Sequence, residues 1–291
     1  MASNLLISET SSQLDPTPRN QKRNTKRKKF KLYSILFMQP NTILGIDVGA
    51  SAIKAALVNI ATGSFIGDRY RVETPNPSTP EALALVVEEI AKNFKYKGVI
   101  GVGFPAVVKK GVAATATNLD KQWIGTSIED VFSKATGCQV FAANDADVAG
   151  VAEMNFGEGL GVKGTVIMVT IGTGLGTAIF LNGQLLPNTE LGHIRLDTGM
   201  DAEAYASNAA QKRDDLPIRK WAKRFNKYLE LMELYFQPDL FILGGGTSKN
   251  FEEFKDKITI ATKVVPAKLY NNAGIVGAAM YAAGKMEEKN K

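Results

Sequence analysis

The sequence predicts an α/β fold of two similar halves facing each other across a cleft. A repeated pattern is the first reason. ILGIDVGASAIKAALV (Ile43 to Val58) and VIMVTIGTGLGTAIF (Val166 to Phe180) each lead β-branched residues into a small Gly-rich turn and out into a second apolar run. The second reason is order: strands come first, then strands and helices alternate, and the sequence does this twice. In such folds ligands lie at the carboxyl ends of the strands.

The elements follow from local signals. Ile43–Asn59 and the stretch around Phe65–Val72 read as strands, with a turn at Thr62-Gly63. Ser78-Thr79-Pro80-Glu81 is a helix start with Pro near its first position. Leu83, Val86, Val87, Ile90, Ala91 and Phe94 then recur at helical spacing. Gly98–Phe104 and Val140–Ala143 are buried strands, the second running into Asn144, the cap of a helix over Ala146–Phe156. A lone Gly172-x-Gly174-x-Gly176 resembles a dinucleotide loop, but such loops open a helix. Here Thr177–Leu181 stays strand-like and reaches Asn182-Gly183, a hairpin signal. The spacing predicts a long helix over Pro217–Phe236 and a strand at Leu240–Leu243 that breaks into Gly244-Gly245-Gly246. It then predicts a helix to Ile258 and a closing helix rich in small residues. Two Gly-turned hairpins are two anion-binding concavities of backbone N–H groups, which points to phosphoryl transfer.

Composition narrows the class. The content, 45% apolar and 22% charged, is that of an ordinary globular protein. The single Cys138 excludes a disulfide within the chain and fits a reducing compartment. One Cys and one His, His193, cannot form a Cys/His structural zinc site. No apolar run approaches the roughly 20 residues of a bilayer span, so no membrane partner is expected. The net charge of +6 belongs to residues 1–40, where eight Lys or Arg stand against Glu9 and Asp15; the 27 basic and 27 acidic groups that follow cancel. That tail lacks an apolar period and cannot order itself by burial. It reads as a disordered extension upstream of a start at Met38, as an organelle transit peptide, or as a nucleic-acid or polyanion arm. The location expected is cytoplasmic, or an organelle such as a plastid if residues 1–37 are a transit peptide.

Longer stretches carry a resemblance. GIDVGASAIKAALV, TPNPSTPEA, GVGFPAVV, NLDKQWIG, NDADVAG, TIGTGLGTAIF, PNTELGH, PDLFILGGGTSK and NNAGIVGAA occur in order within residues 42–286. They resemble the ROK family of sugar kinases, and within it the polyphosphate-dependent glucokinases. The resemblance implies the actin-like ATPase/hexokinase (ribonuclease H-like) fold, with an N-terminal α/β domain over 41–156 and a C-terminal one over 157–272. Residues 273–291 would form a helix packing back toward the first domain. It implies a homodimer without nucleic-acid partners, and transfer of a phosphoryl from polyphosphate, ATP or both to the 6-hydroxyl of glucose.

A sugar hydroxyl needs a carboxylate base within hydrogen-bond reach, and Asp145, at a strand-to-helix junction, is placed for that; the resemblance assigns it the role. A polyol needs several acceptors converging on one pocket. The resemblance names Asn118, Asn144, Glu190, His193 and Glu203. It places Asp47, Gly49, Ser51, Lys54, Thr170, Gly172, Thr173, Gly174 and Gly176 on phosphate, with Asp47 holding Mg²⁺ through water, and Gly244, Gly245, Gly246 and Lys249 on the donor. Asp147 reads as structural. Two departures stand out. The larger ROK branch carries a Cys-x-Cys zinc motif after its ELGH-like stretch, where this chain has RLDTGMDAEAY; the polyphosphate branch also lacks zinc. The first turn, usually DxGG, reads Asp47-Val48-Gly49-Ala50, and the added methyl is expected to tighten it or force a different φ. Lys220, Lys223, Arg224 and Lys227 recur along one face of the long helix, as a solvated face or a track for polyphosphate. The alternatives are an ATP-preferring ROK hexokinase for glucose or mannose, and a sugar-responsive regulator, for which the winged helix-turn-helix is missing.

Overall fold

The computed structural model describes residues 41–289, so the readings made for the tail, including a start at Met38, lie outside the described residues. The chain from Asn41 opens with β1 (Thr42–Val48), β2 (Ala52–Asn59) and β3 (Ser64–Glu73), an antiparallel meander. Helix α1 (Pro80–Asn93) starts where the sequence places it: the Thr79 hydroxyl accepts from Ala82 N at 3.3 Å. Strands β4 (Ile100–Phe104) and β7 (Val140–Asn144) then add parallel to β1, giving the order β3-β2-β1-β4-β7. Between them lie a small hairpin, β5 (Val108–Lys109) with β6 (Val112–Ala113), and helix α2 (Ile128–Thr136), which the sequence signals did not announce.

Helix α3 (Asp145–Phe156) follows β7 without a loop because Asn144 caps it, accepting from Ala146 N at 2.8 Å and Asp147 N at 3.2 Å. The topology then repeats. Strands β8 (Thr165–Ile171), β9 (Leu175–Leu181) and β10 (Gln184–Leu186) form a second meander. Its last turn has Asn182 and Gly183 both at positive φ, 52° and 83°, as an Asn-Gly hairpin turn requires. After the short helices α4 (Ala202–Ala206) and α5 (Asn208–Arg213), the long α6 (Ile218–Phe236) leads to β11 (Leu240–Gly244). Strands β11 and β12 (Val264–Pro266) extend the sheet in parallel, in the order β10-β9-β8-β11-β12. The chain ends in α8 (Ala273–Lys289).

Three apolar layers hold the sheets. Leu83, Val87 and Ile90 of α1 pack with Ile46, Ile53 and Val102 on one face of the first sheet, beside the buried rings of Phe104, Trp123 and Phe132. Trp221, Phe225 and Met232 of α6 cover the outer face of the second. Between the sheets, α3 and α8 share a layer with Ala56 and Val58 of β2 and with Val166 and Phe180. The two helices approach closely: a Cβ on Gly277 of α8 would run into the Val148 carbonyl of α3.

The helix expected to run to Ile258 is not one helix. A 3₁₀ turn at Thr247–Asn250, one α turn (α7, Phe251–Phe254) and a second 3₁₀ turn at Lys255–Lys257 stand there instead. KNFEEFKDK carries only two apolar residues, Phe251 and Phe254, and so short an apolar stripe cannot stabilise a longer helix through packing.

Candidate active site

Both Gly-rich turns are hairpin tips, as the strand-like residues after them predict. At the first, Gly49 N bonds Ala52 O at 3.1 Å, Thr74 Oγ1 donates to Gly49 O at 2.6 Å, and a Cβ on residue 49 would sit 2.9 Å from Ala52 O. Glycine is required there. Ala50 is not among the residues at positive φ, so its methyl does not place the turn in the left-handed region. At the second tip Ile171 pairs with Leu175, and Gly172 N bonds Gly174 O at 3.0 Å.

A cavity of about 380 Å³ lies between these tips, a size that suits a small ligand. Gly49, Thr170, Gly172, Thr173, Gly174 and Gly176 reach it from the hairpins, Asn144 and Asp145 from the β7–α3 junction. Asn118, Glu190, His193, Glu203 and Gly245 complete the set among the predicted residues. Ser51, Lys54, Asp47, Gly244 and Lys249 do not line it. Asp47 and Lys54 instead pair behind the first tip, Nζ to Oδ2 at 3.1 Å. Gly246 lines a second cavity of about 300 Å³ that shares Gly172 and Thr173 with the first, and Lys249 is exposed beyond both. Thr115, Thr117 and Thr189 also line the main cavity; isolated threonines give no sequence signal, so the sequence does not single them out.

Asp145 is the first residue of α3. It opens onto the cavity, while protein surrounds the rest of it, and its Oδ1 accepts from Ala146 N at 2.8 Å. Withdrawal from water raises its carboxyl to about 7, and the Asp47 and Glu190 carboxylates push in the same direction. Asn144 spends its Oδ1 on the helix cap and one amide proton on Ala106 O at 3.0 Å, leaving one donor for a ligand. Burial also raises Glu190, which His193 opposes and Glu203 reinforces. His193 lies between two acids, Nε2 3.9 Å from Glu190 and Nδ1 3.8 Å from Asp201. Glu203 uses Oε2 to accept from Leu175 N at 2.9 Å, which fixes the carboxylate beside the second tip. Asn118 makes no hydrogen bond within the described residues.

Asp147, read as structural from the sequence, is built into the fold. It is 1% exposed, and burial raises its carboxyl to about 7. Its Oδ2 accepts from Asn188 N at 2.8 Å, and Asn188 in turn clasps Val108, accepting from its N at 2.7 Å and donating to its O at 2.9 Å. Asp147 follows Asp145 by two residues and Asn188 precedes Glu190 by two. The bond between them therefore spaces the Glu190 loop from Asp145.

The profile of the ROK family matches residues 43–214. A polyphosphate glucokinase of Mycobacterium tuberculosis is 45% identical over 237 residues, covering 81% of this chain and 89% of that protein. The chain belongs to the ROK family. Among solved structures, the inorganic polyphosphate/ATP-glucomannokinase of Arthrobacter sp. strain KM superposes with a TM-score of 0.79 at 42% identity, covering 84% of this chain and 100% of the other. A ROK family glucokinase of Streptomyces griseus, in complex with glucose and AMPPNP, superposes with a TM-score of 0.72 at 24% identity over 84% and 99% of the two chains, which speaks to the fold. The fold is the actin-like ATPase/hexokinase fold of ROK sugar kinases.

Where the larger ROK branch carries cysteines, this chain closes its loop with backbone bonds. Arg195 bridges Asp201, Leu196 N bonds Met200 O at 2.9 Å, and Leu196 is buried. The basic face of α6 is less free than its spacing implies. Arg224 is bound to Asp214 and stacks on Tyr205 at 4.8 Å, and Lys227 lies 3.8 Å from Asp197. Acids distant in sequence neutralise half of that stripe.

Proposed function

We propose that this ROK-family chain is a glucokinase that moves the terminal phosphoryl of inorganic polyphosphate, or of ATP, to the 6-hydroxyl of glucose. The observation that carries the reading is one cavity lined together by two phosphate-type hairpin tips, a sugar-type set of acceptors and Asp145. The donor part of the reading draws on the polyphosphate-using relatives.

In this reading Glu190, His193, Glu203 and Asn118 hold the non-reacting hydroxyls, and the Asp147–Asn188 bond keeps Glu190 at its distance from the base. Asp145 takes the proton of the 6-hydroxyl as that oxygen bonds to phosphorus and the bond to the rest of the donor breaks. Backbone N–H groups of the tips hold the phosphoryl oxygens, so positioning and charge stabilisation carry most of the catalysis. Among the described residues no group of three or more His, Cys, Asp or Glu could hold a metal. Asp47, whose Oδ2 is held by Lys54, is the carboxylate that would hold Mg²⁺ through water. When bound, Mg²⁺ neutralises charge on the donor's phosphates.

Incubation of glucose with the protein and either donor should yield glucose 6-phosphate; no product from both would remove the reading. With an essential base whose carboxyl is raised to about 7, kcat/KM should rise with pH through that region and fall below it as the carboxyl takes a proton. Asp145 and Asp147 interact, so the profile reports the pair. A rate flat from pH 5 to pH 9 would contradict an Asp145 base. Glu190→Ala or His193→Ala should raise the glucose KM about 5- to 150-fold, from one unpaired hydroxyl worth about 1–3 kcal/mol. The donor KM should stay near its original value; a raised donor KM with an unchanged glucose KM would reverse the assignment.

A further inference from the structure

The second cavity is where a long polyanion would be sought first, since it opens off the second hairpin tip. Its chemistry is wrong for one. No Lys or Arg lines it, and Glu253 does, with Asn208, Gln211 and Asn250. The cation at its rim, Arg219, is held by both Asp256 oxygens at 2.9 and 2.6 Å and by Glu253 O at 3.2 Å. Such a pocket suits a neutral polar group. The α6 stripe, for its part, is half neutralised by Asp214 and Asp197.

A basic row does exist at the first tip. Asp47 of β1 stands opposite Lys54 of β2, and Lys54 stands opposite Arg71 of β3. Directly opposed residues share a face of the sheet, and Arg69, at the bulge next to Tyr70, reaches the same side through its contact with Asn272. Two contacts identify that face as the one toward α8. A Cβ on Gly274 would be 2.7 Å from Asp47 Cγ, and Arg69 Nη1 donates to Asn272 Oδ1 at 3.0 Å. Ile53, Ala55, Tyr70 and Val72 point the other way, into the α1 layer. Like charges directly opposite each other destabilise a sheet, yet Lys54 faces Arg71. The Arg71 side chain is exposed and makes no hydrogen bond or ion pair among the described residues. Glu73, the next residue on that face toward the tip, is exposed and makes no ion pair with it. The row also passes the N-terminal end of α8, whose first amides present a positive pole.

The geometry points to Lys54, Arg71 and Arg69 as a track for the polyphosphate chain beyond the transferred group, running from the first hairpin tip across β2 to the edge strand β3. The inference rests on the polyphosphate-donor reading. The two donors would then share only the terminal phosphates and diverge behind them, polyphosphate toward β3 and the neutral part of a nucleotide elsewhere.

The test compares wild type, Arg71→Gln, the double variant Arg69→Gln/Arg71→Gln and Arg71→Lys. Donors are long-chain polyphosphate, tripolyphosphate and ATP, each at several salt concentrations. Exposed charge pairs are individually modest, so the double variant should raise the long-chain KM about 3- to 10-fold. It should also flatten the salt dependence of that KM by about one unit of log–log slope per arginine. ATP and tripolyphosphate KM values should change less than about twofold, and Arg71→Lys should recover most of the loss because a point charge suffices. A long-chain KM unchanged in the double variant, or an ATP KM raised equally, would overturn the track while leaving the donor reading standing. Wild-type protein that phosphorylates glucose from ATP and not from polyphosphate would overturn the donor reading, and the track with it.

Discussion

Asp145→Asn should lower kcat for glucose phosphorylation by about 10²–10⁴-fold, the range a positioned general base contributes, while glucose binding measured directly stays near the wild-type value. The substitution suits the site because it removes only the proton acceptor. An amide oxygen can still accept from Ala146 N, as Oδ1 does now at 2.8 Å, and the cap of α3 comes from Asn144, which is untouched. The variant should also be no less stable at pH 8. A carboxyl raised from 3.8 to about 7 favours the protonated folded state, so its ionisation destabilises the fold as pH rises between those values. The amide has no such dependence. Turnover within tenfold of wild type would mean that another group takes the proton. Asp147 is poorly placed to do so, being buried and bonded to Asn188.

The largest effect on stability should come from Glu153→Ala, near the other end of α3. Glu153 is fully buried and accepts three backbone N–H bonds: Glu158 at 3.0 Å and Lys268 at 3.1 Å on Oε2, and Leu269 at 2.7 Å on Oε1. One carboxylate thus ties α3 to the loop after it and to the segment that leads into α8. Alanine leaves those donors without partners, and each unsatisfied buried donor costs about 1–3 kcal/mol. Because water can reach some of them after the change, we expect a loss of about 3–5 kcal/mol in urea unfolding at neutral pH. Glu153→Gln should lose less, since its oxygen keeps part of the set while its NH₂ faces another donor. A loss below about 1 kcal/mol for the alanine variant would show that the three bonds contribute little net stability.

Most of the fold is legible in the sequence because its signals are local. Thr79-Pro80 starts α1, Asn144 caps α3, and Asn182-Gly183 closes a hairpin at positive φ; each depends on a few neighbouring residues. Gly172–Gly176 is likewise distinguished as a hairpin by the strand residues Thr177–Leu181 on its C-terminal side. The resemblance names Glu190, His193 and Glu203, and the structure brings them to one cavity with Asp145. The features that escape a sequence reading depend on partners far along the chain. The clasp of Asn188 on Val108 spans 80 residues, and Asp147 acquires its role only through that loop. Arg224 looks free on a helical wheel because Asp214 and Tyr205 are not on its helix. KNFEEFKDK looks helical from its flanks, although its two apolar residues can anchor only one turn.

Initial rates of glucose 6-phosphate formation from nucleotide-free polyphosphate, measured beside ATP on the same preparation, test the central claim most directly. The account predicts product from polyphosphate with no nucleotide present, loss of terminal phosphates in equal amount, and disappearance of the signal in Asp145→Asn. Wild-type protein that forms no glucose 6-phosphate from nucleotide-free polyphosphate, or whose polyphosphate rate survives the loss of Asp145, would contradict it.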